Sequence, residues 1–508
     1  MSGLRSTLIL LCAAGAAVPA TGWAEAPLSQ HDLMLLNRIT WGATPTDAAE
    51  MQKLGARRWL ERQLHPAAQD RLPGQVQAVV DALPASRQPL TELLLHTRQM
   101  RQAFKQIPDT DTERKQADQK AYKQYLSDRQ HDAVVRTLLR DIYSPDQLKE
   151  QLTWFWFNHF NVFSRKYDIR AMLADFEDTI RAHSLGRFRD LLEATLRHPA
   201  MLEFLDNDGN AVGKINENYA REIMELHTMG VGSGYTQKDV QELARILTGA
   251  GVEVEGADPA LRPELQRLYL RQGDFVFNPK RHDFGDKVFL GHAIKGSGFG
   301  EVEQALDILA RQPATARHVS RQLAEFFVGD DPPAALVARM AQTFQRTDGD
   351  IAEVLRTLFD SKEFDASLGT QFKDPVHYVV SAMRLAYGDQ TIININPMYR
   401  WLIQLAEAPY DHETPDGYPM NAAAWNGPGQ LAMRFDIARE IAAGAPAFFV
   451  PPSRNAEGPP VHPEIQATVQ KASLDRPLAA PTRAVLDKAA SPQEWNALFL
   501  SSPEFMRR

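Results

Sequence analysis

Apolar residues recur at intervals of three and four along most of the chain, and continuous or alternating runs of strand length are few. The pattern predicts a mainly α protein: a large multi-helix globular body with a short β-hairpin insertion and a protruding charged helical hairpin. Residues 46–63 read as one amphipathic helix. Residues 90–106 and 111–142 read as two highly charged helices split by Pro108, with faces that are solvated surface or an arm for a partner. Ser144-Pro145-Asp146 offers a capping hydroxyl, a first-turn proline and an acid at the positive end of the helix dipole, so a helix is expected over 147–163. Further helices are expected at 168–183, 187–197 and 216–229. Thr236 and Asp239 resemble a capping box for a helix reaching Thr248. Leu268-Tyr269-Leu270 and Phe275-Val276-Phe277 predict short strands within 266–292. Helices resume at 301–311, 314–327, 333–345 and 349–360. Residues 388–430, rich in Pro, Gly and Asn, read as loop, and a helix fits 429–443. The body thus spans 25–445, and a Pro-rich linker with a small helical segment packed on the body fills 446–508.

The N-terminal residues change the picture from fold to address. Arg5, an apolar run over 8–18 and the small residues Ala16, Ala17 and Ala20 have the layout of a secretory signal peptide, cleaved after Ala24 or Ala20. The run is short of the ~20 residues a membrane span needs, and no later stretch reaches that length, so no transmembrane anchor and a periplasmic or secreted protein are expected. The only cysteine, Cys12, falls in that segment. The mature chain then has no disulfide, thiolate metal site or thiol nucleophile, and any metal would need His, Asp or Glu ligands. With 56 Lys and Arg against 64 Asp and Glu, and no basic stripe, a nucleic-acid partner is disfavoured.

The candidate chemistry concentrates in a few segments. Read as a helix at ~100° per residue, 216–230 places Glu217, Asn218, Arg221, Glu222 and Glu225 on one face, with Asn216 at its start. That face is either a solvated surface paired within itself, Glu217 to Arg221 and Arg221 to Glu225, or the wall of a cleft. In a cleft, like charges raise one carboxyl while Arg221 keeps another ionised, which supplies an acid and a base together. His227 lies on the apolar side and reads first as a core histidine. In 153–166, Trp154, Asn158, Asn161 and Arg165 share a helical face that could bind a sugar ring or an anion, while Trp156, Phe160 and Phe163 form a core stripe. His159 is buried and structural, or functional. The run 205–210 alternates Asp and Asn with Gly209 and reads as a turn before an oxygen-ligand site. His282 and Asp283 follow the strand segment on a loop and are weak site candidates.

Together these segments resemble a large bacterial family catalogued as domain of unknown function 1800. The matching pieces are Leu36-Asn37-Arg38-Ile39-Thr40-Trp41-Gly42, Phe155-Trp156-Phe157-Asn158-His159-Phe160, residues 216–230, Gly234-Tyr235-Thr236 and Leu247-Thr248-Gly249. His282-Asp283 with Lys287, residues 313–328 and Lys373-Asp374-Pro375 complete them. Ala250 stands where an aromatic is expected, and Gly417-Tyr418-Pro419 where a Gly-Trp pair is expected. The resemblance implies export, a helical body and an unassigned activity, with a co-exported family, domain of unknown function 1501 and similar to sulfatases, as a neighbour.

The leading expectation is a periplasmic hydrolase or lyase acting on a glycan or related polymer. Glu222 and Glu225 are its candidate acid and base, with Glu217 and Asp283 as further carboxylates. Trp154, Asn158, His159, Asn161, Asn216, Asn218, Arg221 and His282 are the substrate-binding candidates. No metal site and no particular cofactor is assigned. The alternatives are a metal enzyme drawing on Glu217, Glu222, His159, His227 and His282, or a scaffold for the DUF1501-type protein.

Overall fold

Local signals close helices where the sequence carries caps. A computed structural model describes residues 28–67, 71–256, 258–451 and 460–508; Cys12 and the N-terminal segment read as a signal peptide lie outside them. Thr236 accepts from Asp239 N–H while Asp239 accepts from the Thr236 N–H, and the helix Gln237–Ile246 follows. Glycine breaks one predicted element: 46–63 is two helices, Pro45–Leu54 and Ala56–Leu64, because Gly55 sits at φ 79° between them. The helix after 144–146 starts at Gln147 as expected, but with a different residue at its cap. Asp146 occupies the N-cap position of Gln147–His159, and its N–H is taken by the Ser144 hydroxyl.

That helix ends at His159, four residues short of the expected boundary. Asn161 and Arg165 are therefore off its face. The segment 388–430 contains a helix the pattern did not reveal, Asn396–Gln404, and Pro375–Tyr387 is another, buried along its whole length. A helix buried all round has no polar stripe for periodicity to detect.

The helices Leu90–Gln106 and Thr112–Tyr143 form the charged hairpin. Its base is core: Val134, Leu138 and Leu139 are fully buried. Midway, Arg98 pairs with Glu203, and Asp168 receives both Arg101 and the Tyr122 hydroxyl. Residues 108–114 at the turn stand exposed, with Ile107 buried beside them.

The expected β-hairpin belongs to one of two small antiparallel sheets. β1 (Ala250–Val252), β2 (Leu270–Gln272) and β3 (Phe275–Phe277) make one in the order β1-β3-β2, with Ala250 opposite Phe277. β4 (Lys287–Phe289) and β5 (His292–Ile294) make the other. Both lie on helices of the body, and one continuous apolar core runs from Leu33 to Met506. The C-terminal helix Pro492–Leu500 packs on Pro428–Ala443 and contributes Trp495, Phe499 and Leu500 to that core.

Candidate functional site

The segment predicted to carry chemistry forms the helix Asn218–Glu225, shorter at both ends than expected. Asn216 sits ahead of it and fastens the approach: its side chain accepts from the Asn218 N–H and donates to the Asp206 carbonyl. Asn218 donates to the Leu205 carbonyl. Both amides therefore hold the helix start on the 205–210 turn, where Asp206 adopts φ 58° and pairs with Lys166 at 2.8 Å. After Glu225 the chain tightens into turns, with His227 N–H bonded to Glu222 O and Gly230 at φ 88° closing the segment.

The outer face keeps three acids around one cation. Arg221 reaches Glu217 and Glu225 at 3.4 Å each and donates to Gln237 at 2.8 Å; Gln237 in turn donates to Glu217 at 2.6 Å. Glu222 stands apart. Its carboxylate is half-buried and takes no hydrogen bond among the described residues. Burial first, then Glu225 and Asp416, raises its pKa against the opposing Arg221.

Asp416 belongs to a loop anchored on the Trp154 helix. Asn158 accepts from Tyr418 N–H at 2.6 Å and donates to the Tyr418 carbonyl at 2.9 Å. Asn161 donates to the carbonyls of His412 and Thr414. Arg165 pairs with Asp411 at 3.0 Å. The amides expected to bind substrate thus hold residues 411–418. Gly417, at φ 71°, lets the loop lie against Asn158, where a Cβ would collide with the Asn158 carbonyl. Trp154 stacks on Tyr418 at 6.4 Å, so an aromatic contact is present at this departure from the family pattern.

The histidines lie inside. His159 is bonded through Nε2 to the His227 carbonyl, and burial together with His318 pushes it down to about 3. His227 is fully buried, neither ring nitrogen has a partner among the described residues, and burial first, then His159 and His318, puts its pKa well below the ordinary value. His282 is elsewhere. Its ring lies between the Thr248 carbonyl and Glu301, whose other oxygen pairs with Lys287, and all three side chains are fully enclosed. Burial disfavours the charged Glu301, but His282, Lys287 and the N–H groups of Gly298 and Ser297 outweigh it and hold the carboxyl down at about 2. Asp283 forms a two-pronged pair with Arg245, which keeps its pKa low. Glu217, Glu222, His159, His227 and His282 do not converge. Among the described residues no three His, Asp or Glu side chains are arranged to hold a metal ion.

The chain matches, over residues 34–507, the family described as protein of unknown function (DUF1800). It belongs to that family. No curated protein and no solved structure matches it. Among the described residues of this DUF1800 protein no helix is long and apolar enough to cross a membrane.

Two features of the DUF1800 body were not singled out in the sequence. Asp374 and Glu407 border a crevice with Trp154, Asn158 and Tyr418. Burial opposes the charged Asp374, but His377 and Arg508 hold it down at about 2, whereas burial and Asp374 push Glu407 well up. The crevice is nearly filled, with about 10 Å³ of free space. The second feature is a cavity walled by residues from the two ends of the family match. The motif Lys373-Asp374-Pro375 gives one residue to each, but the other members are scattered over hundreds of positions, so spacing along the chain assembles neither.

Proposed function

We propose that this DUF1800 protein is an exported hydrolase or lyase acting on a glycan-type polymer through the carboxyls of Glu222 and Glu225. The observation that carries the reading is their inequality. Glu222 is half-buried, unbonded and raised in pKa, while Glu225 is paired with Arg221 and lies beside the Tyr235 hydroxyl. A carboxyl whose proton is held more tightly is the better placed to donate to a leaving oxygen, and one paired with a guanidinium is placed to act as base or nucleophile. Neighbours three apart on a helix suit the shorter carboxyl separation of ~5 Å that retaining glycosidases use. Glu217 is taken up by Arg221 and Gln237 and tunes the pair. Trp154 and Tyr418, on the Asp416 side, offer an aromatic surface for a sugar ring.

The test is a screen of polysaccharides and peptidoglycan fragments with the purified protein, followed by Glu222→Gln and Glu225→Gln. Each variant is expected to lose at least a hundredfold in kcat with its circular dichroism unchanged. Full activity of Glu222→Gln on an identified substrate sinks the assignment. A second reading, an adaptor for a co-exported DUF1501-type protein, is favoured by the exposed, charged tip of the hairpin around Pro108–Lys115. Capture of such a protein by the intact chain, lost when the tip is trimmed, would support it.

A further inference from the structure

Lys373 is one of the most deeply placed charges in the fold. It lies just before the helix Pro375–Tyr387, is 2 % exposed, and donates one hydrogen bond, to Ser381 Oγ at 3.0 Å. The Ser381 hydroxyl in turn donates a hydrogen bond to the Tyr378 carbonyl. The ammonium also lies 4.1 Å from the ring centre of Phe505. Among the described residues no carboxylate pairs with it. A lysine buried for structural reasons is ordinarily paired, because an uncompensated interior charge costs several kcal/mol.

Lys373 and Ser381 line a cavity of about 390 Å³, within the range of small-molecule sites. Its walls are largely apolar: Leu33, Met34, Leu385, Leu478 and Phe499 from four separate parts of the chain. Gly42, at φ 117°, forms part of the wall and leaves room for Ser381, whose Cβ a side chain there would strike. The other charges at the cavity are Glu504 and Arg507. Glu504 is already used, since its oxygens accept from Thr482 and from the Ala479 N–H. The cavity therefore combines an apolar lining with an unneutralised cation.

We propose that this cavity binds an amphipathic monocarboxylate, an apolar chain against the leucines with its carboxylate accepting from Lys373 Nζ beside Ser381. The site is separate from the Glu222 face and stands whether or not that face is catalytic. Binding carries a proton signature. Burial, then Arg508 and Arg434, lowers Lys373 to about 7, with Asp374 opposing. An arriving carboxylate favours the ammonium, so above pH 7 the complex takes up a proton.

The experiment is calorimetric titration of the full purified protein with decanoate and, as uncharged comparison, decanol, at pH 8 in two buffers of different ionisation enthalpy. Expected are one decanoate per chain, tighter binding of decanoate than of decanol, and net proton uptake. Lys373→Met should weaken decanoate by about tenfold to a hundredfold, the loss of one charge-assisted contact, and leave decanol unchanged. Three outcomes overturn the proposal: no decanoate binding by the native protein, decanol bound as tightly as decanoate, or binding without proton uptake. The last two are read on the native chain, so they hold even if Lys373→Met fails to fold.

Discussion

Glu301→Gln is the sharpest test of how the β insertion is held to the body. The substitution keeps the shape and removes the charge that His282 and Lys287 share. Lys287 would then be left fully enclosed without a counter-ion. Breaking a buried pair in this way costs about 3–5 kcal/mol, more than the pair contributes net, because the surviving charge remains desolvated. The loss should be local. Amide hydrogen exchange over β2 to β5 should speed up by roughly two to three orders of magnitude, with the helical core little changed. Adding Lys287→Met removes the stranded charge and should recover about half of the loss or more. The native protein makes a parallel prediction with pH. Glu301 titrates at about 2 when folded and near the ordinary carboxyl value when unfolded. The stability it confers is present above that ordinary value and is lost as pH falls from about 4.5 towards 2. An effect of Glu301→Gln below about 1 kcal/mol, or strict additivity with Lys287→Met, would refute the reasoning.

His227→Phe should leave stability unchanged or raise it by about 1 kcal/mol at pH 7, because it replaces two unpartnered buried nitrogens with a ring of similar shape; a clear loss in thermal unfolding would show that the imidazole makes a bond it lacks here. His159, lowered to about 3, and His227, lower than usual for the same cause, must take up protons on unfolding below about pH 6.5. Stability should therefore fall as pH drops from 6.5 towards 3, and His227→Phe should flatten that slope in urea titrations. Gly417→Ala should cost about 1–3 kcal/mol, because it combines a strained φ with a clash on the Asn158 backbone. Unchanged unfolding of that variant would mean the 411–418 loop is not held where Asn158 and Asn161 place it.

The sequence by itself determined what neighbours within a few residues decide. Helical periodicity, the Thr236–Asp239 cap and the three strand residues Phe275–Phe277 rest on interactions inside one turn or one run, and all are found in the fold. So are the family and the internal pairing of Arg221 with Glu217 and Glu225, one helical turn away on either side. Tertiary structure decided the rest. It turned Asn158 towards Tyr418, 260 positions away, and enclosed His282 with Glu301. It ended the Trp154 helix before Asn161 and put Lys373 against Ser381 inside a cavity made from both ends of the chain. A side chain's role follows from what desolvates it and which charge compensates it. Both are set by residues brought together only when the core closes, so spacing along the chain could nominate these residues but could not assign them.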